Sequence, residues 1–125
     1  IKRAIKLPVS APFHCELITN ASIKLRDEIA NQKFNNFVFP LYSNVTAEHC
    51  SSQTIKGLLV KQIISRVRWR ESVENMLRDG INCFIEIGPG NILTNLIKRI
   101  NKEVKAISVS SIEDLDKIKL ANLDS

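Results

Sequence analysis

The sequence has few aromatic residues and no long apolar run, and each shortage excludes a class of protein. Aromatic side chains make up 6% of the 125 residues. Apolar positions are filled mainly by Ile, Leu and Val, which favours an α/β layer structure over a β-sandwich. No apolar run approaches the length needed to cross a bilayer, and no secretory segment opens the chain. We therefore expect one domain, or part of one, with no membrane partner.

Glycine is scarce as well, and its placement excludes one kind of active site. The four glycines are Gly57, Gly80, Gly88 and Gly90, and none lies in a GxSxG segment. That segment exposes a nucleophilic serine on a sharp strand-to-helix turn. The chain therefore supplies at most one partner of a serine–histidine pair.

The three cysteines, Cys15, Cys50 and Cys83, are widely spaced and contain no CxxC pair. Their odd number and spacing indicate free thiols in a reducing compartment, so we expect a cytoplasmic protein. Ligand spacing of the structural-zinc type is absent, which favours small buried thiols over a metal site.

The charge balance is mildly basic, at +5 from 18 Lys and Arg against 13 Asp and Glu. Such a chain attracts anionic partners. The basic residues are spread along the sequence without a nucleic-acid-binding motif, so an acidic carrier protein or a phosphorylated cofactor suits the charge equally well.

Strand-like and helix-like segments alternate, which predicts βαβ units and a parallel sheet buried on both faces. Strands are expected at Ala4–Ser10, Phe37–Val45, Ile81–Ile87 and Val104–Ser110. Helices are expected to begin directly after Ser10 and near Ile55, Trp69, Asn91 and Ile112, where apolar residues follow helical spacing. The apolar stripe of the first helix begins at His14. The segment 46–52, TAEHCSS, is predicted to be a loop.

His14 lies in LPVSAPFHCEL, where the first predicted strand passes into a helix. Parallel α/β sheets place their sites beyond the carboxyl ends of strands, and an imidazole is a natural general base near neutral pH. The alternative is a hydrogen-bonded histidine at a helix end. Position alone favours that alternative, because nothing nearby indicates a substrate.

Two other polar features have a functional and a structural interpretation. Gln62 interrupts the apolar stripe of the helix from Ile55, so its amide either braces a neighbouring loop or reaches water. The segment EIGPGN, Glu86–Asn91, lies between a strand and a helix like a phosphate-binding turn. It lacks the spacing of the known phosphate motifs, which favours a structural turn that needs glycine torsions.

Four segments of the chain resemble one protein family in order and spacing. LPVSAPFHCEL, PLYSNVTA, VRWRESVENML and FIEIGPGNILTNLIKRI look like the C-terminal part of the malonyl-CoA:acyl carrier protein transacylase family. The resemblance extends to about Ile118 and implies an α/β fold, the C-terminal part of an α/β-hydrolase-like acyltransferase core. Residues 1–125 are then expected to be a C-terminal segment, without the nucleophile-bearing N-terminal part and the ferredoxin-like subdomain.

The resemblance also implies a reaction and two site residues. Members of the family transfer malonyl from coenzyme A to acyl carrier protein in fatty acid biosynthesis, through an acyl-serine intermediate. The general base of the family falls on His14, and a main-chain carbonyl that orients it falls on Gln62. The coenzyme A thioester is a substrate, and no cofactor or metal is implied. The implied partners are malonyl-CoA, acyl carrier protein and the missing N-terminal half of the domain, with no nucleic acid and no membrane.

Other functions remain open from the sequence. Because the serine is missing, the chain alone is expected to be inactive. It is alternatively a non-catalytic remnant, or the docking half of a split acyltransferase. A third hypothesis, a small nucleotide-binding domain that uses the turn at Gly88–Gly90, is disfavoured by its motif spacing.

Overall fold

The computed structural model describes residues 12–120, which form two units of mixed helix and strand. One unit ends at Ser72 and the other begins at Val73. The predicted strand Ala4–Ser10 lies outside the described residues. Within them, no helix is both long and apolar enough to span a membrane.

The first unit contains two helices and a short hairpin. A single 3-10 turn, Glu16–Ile18, leads into α1 (Thr19–Ala30), and β1 (Leu41–Tyr42) pairs with β2 (His49–Cys50) before α2 (Ile55–Gln62). The hairpin is antiparallel, and α1 packs against α2. The first residue of α2 and the turn of the hairpin supply the buried apolar side chains, Ile55 and Ala47.

The second unit is a βαβ arrangement, as the alternating pattern predicts. It begins within the helix α3 (Trp69–Arg78), whose first four residues belong to the first unit. The elements β3 (Cys83–Ile87), α4 (Ile92–Ile100), β4 (Lys105–Val109) and α5 (Leu115–Leu120) follow. The strands β3 and β4 are parallel, with Ile85 opposite Ile107. The buried side chains of this unit include Val73, Ile97, Val104 and Val109. The α/β class is therefore confirmed.

Two predictions for the first unit are wrong. The strand expected at Phe37–Val45 is reduced to Leu41–Tyr42, because Pro40 has no N–H to donate and the chain turns directly after Tyr42. Its partner strand, His49–Cys50, lies in the segment predicted as a loop. The sheet of this unit is thus antiparallel, since a short hairpin suffices to return the chain.

The expected burial of the sheet on both faces is also wrong for this chain. Ile87, the last residue of β3, has 84% of its surface exposed, and Ile92 and Ile112 are also largely exposed. In the first unit, Leu17, Val38 and Phe39 are the most exposed large apolar side chains. Each unit therefore carries apolar surface that its own residues leave uncovered.

Candidate active site

His14 lies in a turn before α1, and its backbone has an unusual conformation. The φ angle of His14 is 60°, in the left-handed region. The helix predicted to begin after Ser10 starts only at Thr19, because this turn and the extended Cys15 interrupt it. A left-handed residue other than glycine costs about 1–3 kcal/mol, and such residues cluster at functional sites. His14 therefore projects from a turn rather than from a helical stripe.

The imidazole of His14 contacts the residue that the resemblance pairs with it. The Nδ1 atom of His14 lies 2.8 Å from the main-chain oxygen of Gln62. A carbonyl oxygen only accepts hydrogen bonds, so Nδ1 carries the hydrogen in this contact. In the neutral ring, the lone pair is then on Nε2, which is the nitrogen able to take a proton. The structure thus brings together His14 and Gln62, 48 residues apart in the chain.

The carbonyl that receives this bond lies at the C-terminal end of a helix. Gln62 is the last residue of α2. The final carbonyls of a helix lack intrahelical donors and carry the negative end of its dipole. In the segment after α2, the backbone N–H of Ser65 also donates to the Gln62 oxygen, through a long hydrogen bond of 3.4 Å. The Gln62 carbonyl is therefore a partly negative acceptor that suits an N–H of either a neutral or a protonated imidazole.

The packing of α1 on α2 determines where this acceptor lies relative to His14. The buried hydroxyl of Ser22 in α1 donates to the carbonyl of Val60 in α2, at 3.1 Å. At the opposite end of the pair, Lys56 Nζ donates to the carbonyl of Ala30, at 2.8 Å. The turn with His14 leads directly into α1, and Gln62 ends α2, so these cross-helix bonds support the contact.

The side chain of Gln62 has its own partner, which the sequence pattern does not indicate. Asn44 Nδ2 donates to Gln62 Oε1 at 3.3 Å. The structure therefore supports the interpretation in which the Gln62 amide contacts a neighbouring loop. Asn44 lies in PLYSNVTA, one of the four segments that carry the resemblance, but its type and spacing gave no indication of this contact.

The turn at Glu86–Asn91 does not offer its helix N-terminus to a phosphate. The carboxylate of Glu86 accepts from the backbone N–H groups of Leu93, at 3.0 Å, and Thr94, at 2.8 Å. These bonds, the one from Thr94 foremost, hold the pKa of Glu86 below its usual value. The φ angles of Gly88 and Gly90 are 139° and 91°, which only glycine adopts readily. The structural interpretation of this turn is therefore confirmed.

The three cysteines are unpaired thiols, each half-buried. Burial raises the pKa of the Cys50 thiol, which keeps it protonated near neutral pH. His49, adjacent to Cys50, packs edge-on against the ring of Tyr42. Among residues 12–120, no three His, Cys, Asp or Glu side chains come together in a way that could hold a metal ion.

Comparisons with known proteins confirm the resemblance drawn from the sequence. The chain is 40% identical over 116 residues to the malonyl CoA-acyl carrier protein transacylase of Bacillus subtilis, a match that covers 92% of this chain and 37% of the relative. Related proteins of Staphylococcus aureus are 37% identical over 115 residues, with similar coverage. The chain thus spans little more than a third of the curated relatives it matches. No protein-family model matches it.

Solved structures agree with the sequence comparison. The malonyl CoA-acyl carrier protein transacylase of Clostridium perfringens superposes with a TM-score of 0.89 and 39% identity, over 98% of this chain and 40% of that one. A malonyl-transacylase solved in complex with a type II PKS acyl-carrier protein gives a TM-score of 0.90 and 36% identity, over 97% and 40% of the two chains. The α/β fold of this chain is therefore shared with that portion of the transacylases.

Proposed function

Because the chain matches the C-terminal portion of malonyl-CoA:acyl carrier protein transacylases over nearly its whole length, we propose that it is the histidine-bearing part of such an enzyme. The complete enzyme transfers a malonyl group from coenzyme A to acyl carrier protein. His14 acts as the general base, and the Gln62 carbonyl orients it. The 2.8 Å contact between His14 Nδ1 and the Gln62 oxygen is the observation that carries this proposal.

The proposed reaction has two transfers with the same proton path. A serine hydroxyl from the preceding part of the enzyme gives its proton to His14 Nε2, while the serine oxygen attacks the malonyl thioester. The C–S bond breaks, and the imidazolium returns the proton to the departing coenzyme A sulfur. In the second transfer, Nε2 takes the proton of the phosphopantetheine thiol, whose sulfur attacks the acyl-serine ester. The serine oxygen then leaves with that proton.

The Gln62 carbonyl has two functions in this scheme. Its bond to Nδ1 keeps Nε2 unprotonated in the resting ring, and it stabilises the imidazolium that forms in each transfer. A carboxylate performs the second function with a full charge. A carbonyl at a helix C-terminus performs it with a partial charge, which avoids burying an anion when substrate covers the site.

The proposed partners follow from the same match. We propose malonyl-CoA as a substrate rather than a bound cofactor, and acyl carrier protein as the acceptor, as in the solved complex of a related malonyl-transacylase. The exposed apolar side chains, Leu17 and Val38 in the first unit and Ile87 in the second, support the proposal that each unit packs against another part of the enzyme. We also propose a cytoplasmic location, which the three free cysteines favour.

A chimera tests the proposal directly. This chain replaces the matched 116 residues of the Bacillus subtilis transacylase, and malonyl transfer to acyl carrier protein is measured. His14→Ala should lower the rate by about 100-fold to 10,000-fold, the usual contribution of a general base. His49→Gln, a change at the second histidine, is the matched control and should keep the rate. A chimera that folds and transfers malonyl at an unchanged rate after His14→Ala would refute the role of His14.

The isolated chain distinguishes the alternatives of a remnant and a docking half. Incubated alone with malonyl-CoA, it should show no covalent adduct by mass spectrometry. The chain is then mixed with the separately expressed preceding part of the Bacillus subtilis relative. If it is a docking half, the mixture transfers malonyl to acyl carrier protein; if it is a remnant, the mixture does not. A stable acyl adduct on the isolated chain would contradict the proposed division of the catalytic residues.

A further inference from the structure

We propose that Asn44 is a positioning residue for His14, which it holds in place through the side chain of Gln62. Gln62 has two contacts that use different groups of one residue. Its main-chain oxygen contacts His14 Nδ1 at 2.8 Å, and its side-chain Oε1 accepts from Asn44 Nδ2 at 3.3 Å. No hydrogen bond joins Asn44 to His14, so the effect of Asn44 on the imidazole passes through Gln62. The catalytic significance of this effect rests on the proposed function, whereas the link itself does not.

The position of Gln62 explains why a second contact matters. Helices fray at their ends, and Gln62 is the terminal residue of α2. Fraying rotates the terminal peptide and moves its carbonyl away from His14. A bond to the side chain of the same residue opposes that rotation, because it fixes the residue to a point outside the helix. Asn44 provides that point.

The loop that carries Asn44 is held by several bonds to its backbone. The N–H of Arg68 donates to the carbonyl of Asn44 at 3.0 Å, and the Arg68 guanidinium donates to the carbonyl of Thr46 at 2.9 Å. Within the loop, Ala47 donates to the carbonyl of Ser43 at 2.8 Å, and Ala47 itself is fully buried. A loop fixed at three carbonyls is a firm support for the Asn44 amide.

The surroundings of the two amides favour their pairing. Asn44 and Gln62 line a cavity of about 120 Å³ whose other walls are mostly apolar, with Leu41, Ile55 and Leu58 among them. An amide beside apolar walls has few polar partners within reach, and an unpaired one loses hydrogen-bonding free energy. Gln62 is half-buried in this arrangement, whereas Asn44 is exposed. The Gln62 amide therefore gains from a partner beside these apolar walls, and the exposed Asn44 amide supplies one.

The tautomer of the His14 ring reports on this link without any enzymatic assay. While Nδ1–H is bonded to Gln62, the neutral ring holds its lone pair on Nε2. Release of that bond allows the other tautomer, with the hydrogen on Nε2, to form. Nitrogen-15 NMR of the 125-residue chain distinguishes the two tautomers, and His49→Gln assigns the signals of the two histidines.

Two single variants and their combination test the proposal. Asn44→Ala and Gln62→Ala should each raise the ratio of the Nε2–H to the Nδ1–H tautomer of His14 about threefold, since each removes the same hydrogen bond. Gln62→Ala keeps the main-chain carbonyl. The double variant should show no further change, because both substitutions break one link. Asn35→Ala, the same change at an exposed asparagine of the same unit, should leave the ratio unchanged.

The outcomes are decisive in each direction. A wild-type tautomer ratio in Asn44→Ala, or effects of the two substitutions that add, would overturn the proposal. If Asn44→Ala fails to fold, Gln62→Ala alone decides, and an unchanged ratio in that variant overturns it. Failure of the proposed function is distinguishable, since it appears as undiminished malonyl transfer in the His14→Ala chimera while the tautomer ratio still responds to Asn44.

Discussion

The left-handed backbone of His14 leads to a prediction in which alanine and glycine differ in a defined direction. Both His14→Ala and His14→Gly remove the imidazole and its bond to Gln62, so this loss cancels between the two variants. What remains is the cost of a φ angle of 60°. That conformation costs an L-residue about 1–2 kcal/mol and costs glycine nothing. Glycine in turn loses about 0.5–1 kcal/mol more backbone entropy than alanine on folding.

The midpoints of these two costs differ by about 0.75 kcal/mol, so His14→Gly should be more stable than His14→Ala by about that amount. The matched comparison is made at Lys24, an exposed residue inside α1. There the order should reverse, with Lys24→Ala more stable than Lys24→Gly by about 0.8–1 kcal/mol, because the helix penalises glycine. The stability difference between the glycine and alanine variants should therefore change by about 1.5–2 kcal/mol from position 14 to position 24.

Urea unfolding of the 125-residue chain, followed by the fluorescence of its single tryptophan and by circular dichroism, measures all four free energies of unfolding. The reversal of sign between the two sites is the decisive result. If alanine were at least as stable as glycine at both positions, His14 would not be left-handed. Its turn would then carry no backbone strain.

Two further predictions concern the bonds that hold each unit together. Ser22→Ala should lower the free energy of unfolding, measured in urea, by about 1 kcal/mol, because it removes the buried hydrogen bond to the carbonyl of Val60. An unchanged midpoint of urea unfolding would show that this bond contributes nothing to stability. For Glu86, the folded pKa lies below the usual value of 4.5, so its contribution to stability is present above that value and is lost as the pH falls through the folded pKa. Glu86→Gln should therefore weaken the acid dependence of the unfolding midpoint between about pH 5 and pH 2, and identical pH profiles for the two proteins would contradict this cause.

The second unit could be predicted from the sequence because its local signals agree with one another. The strand at Ile81–Ile87, the turn with two glycines and the helix that ends at Ile100 are each indicated by several residues. The structure begins β3 two residues later, at Cys83, and retains the rest. The cap of α4 was not predictable, because the carboxylate that accepts from its first N–H groups belongs to Glu86 in the preceding strand and not to the N-cap residue.

The first unit was harder to predict because its structure depends on contacts that are distant in sequence. An apolar stripe that begins at His14 indicated that this residue lies within a helix, but no local pattern reveals a left-handed histidine that contacts a residue 48 positions away. The short hairpin was missed for a similar reason, since two strands of two residues each have too little periodicity to detect. The pairing of His14 with Gln62 came from the resemblance alone, and the bond between Asn44 and Gln62 came only from the structure.

An acceptor made from a helix end places unusual demands on the rest of the fold. A carboxylate that orients a histidine can adjust through its own side-chain rotamers, whereas the Gln62 carbonyl moves only when the backbone of α2 moves. The 2.8 Å contact with His14 therefore depends on how α1 packs against α2 and on what restrains the last turn of α2. The bond from Ser22 to Val60 restrains the packing, and the bond from Asn44 restrains the last residue. The orientation of the His14 imidazole therefore depends on residues that form no hydrogen bond with it, so substitutions at those residues should affect the state of the ring as well as the stability of the unit.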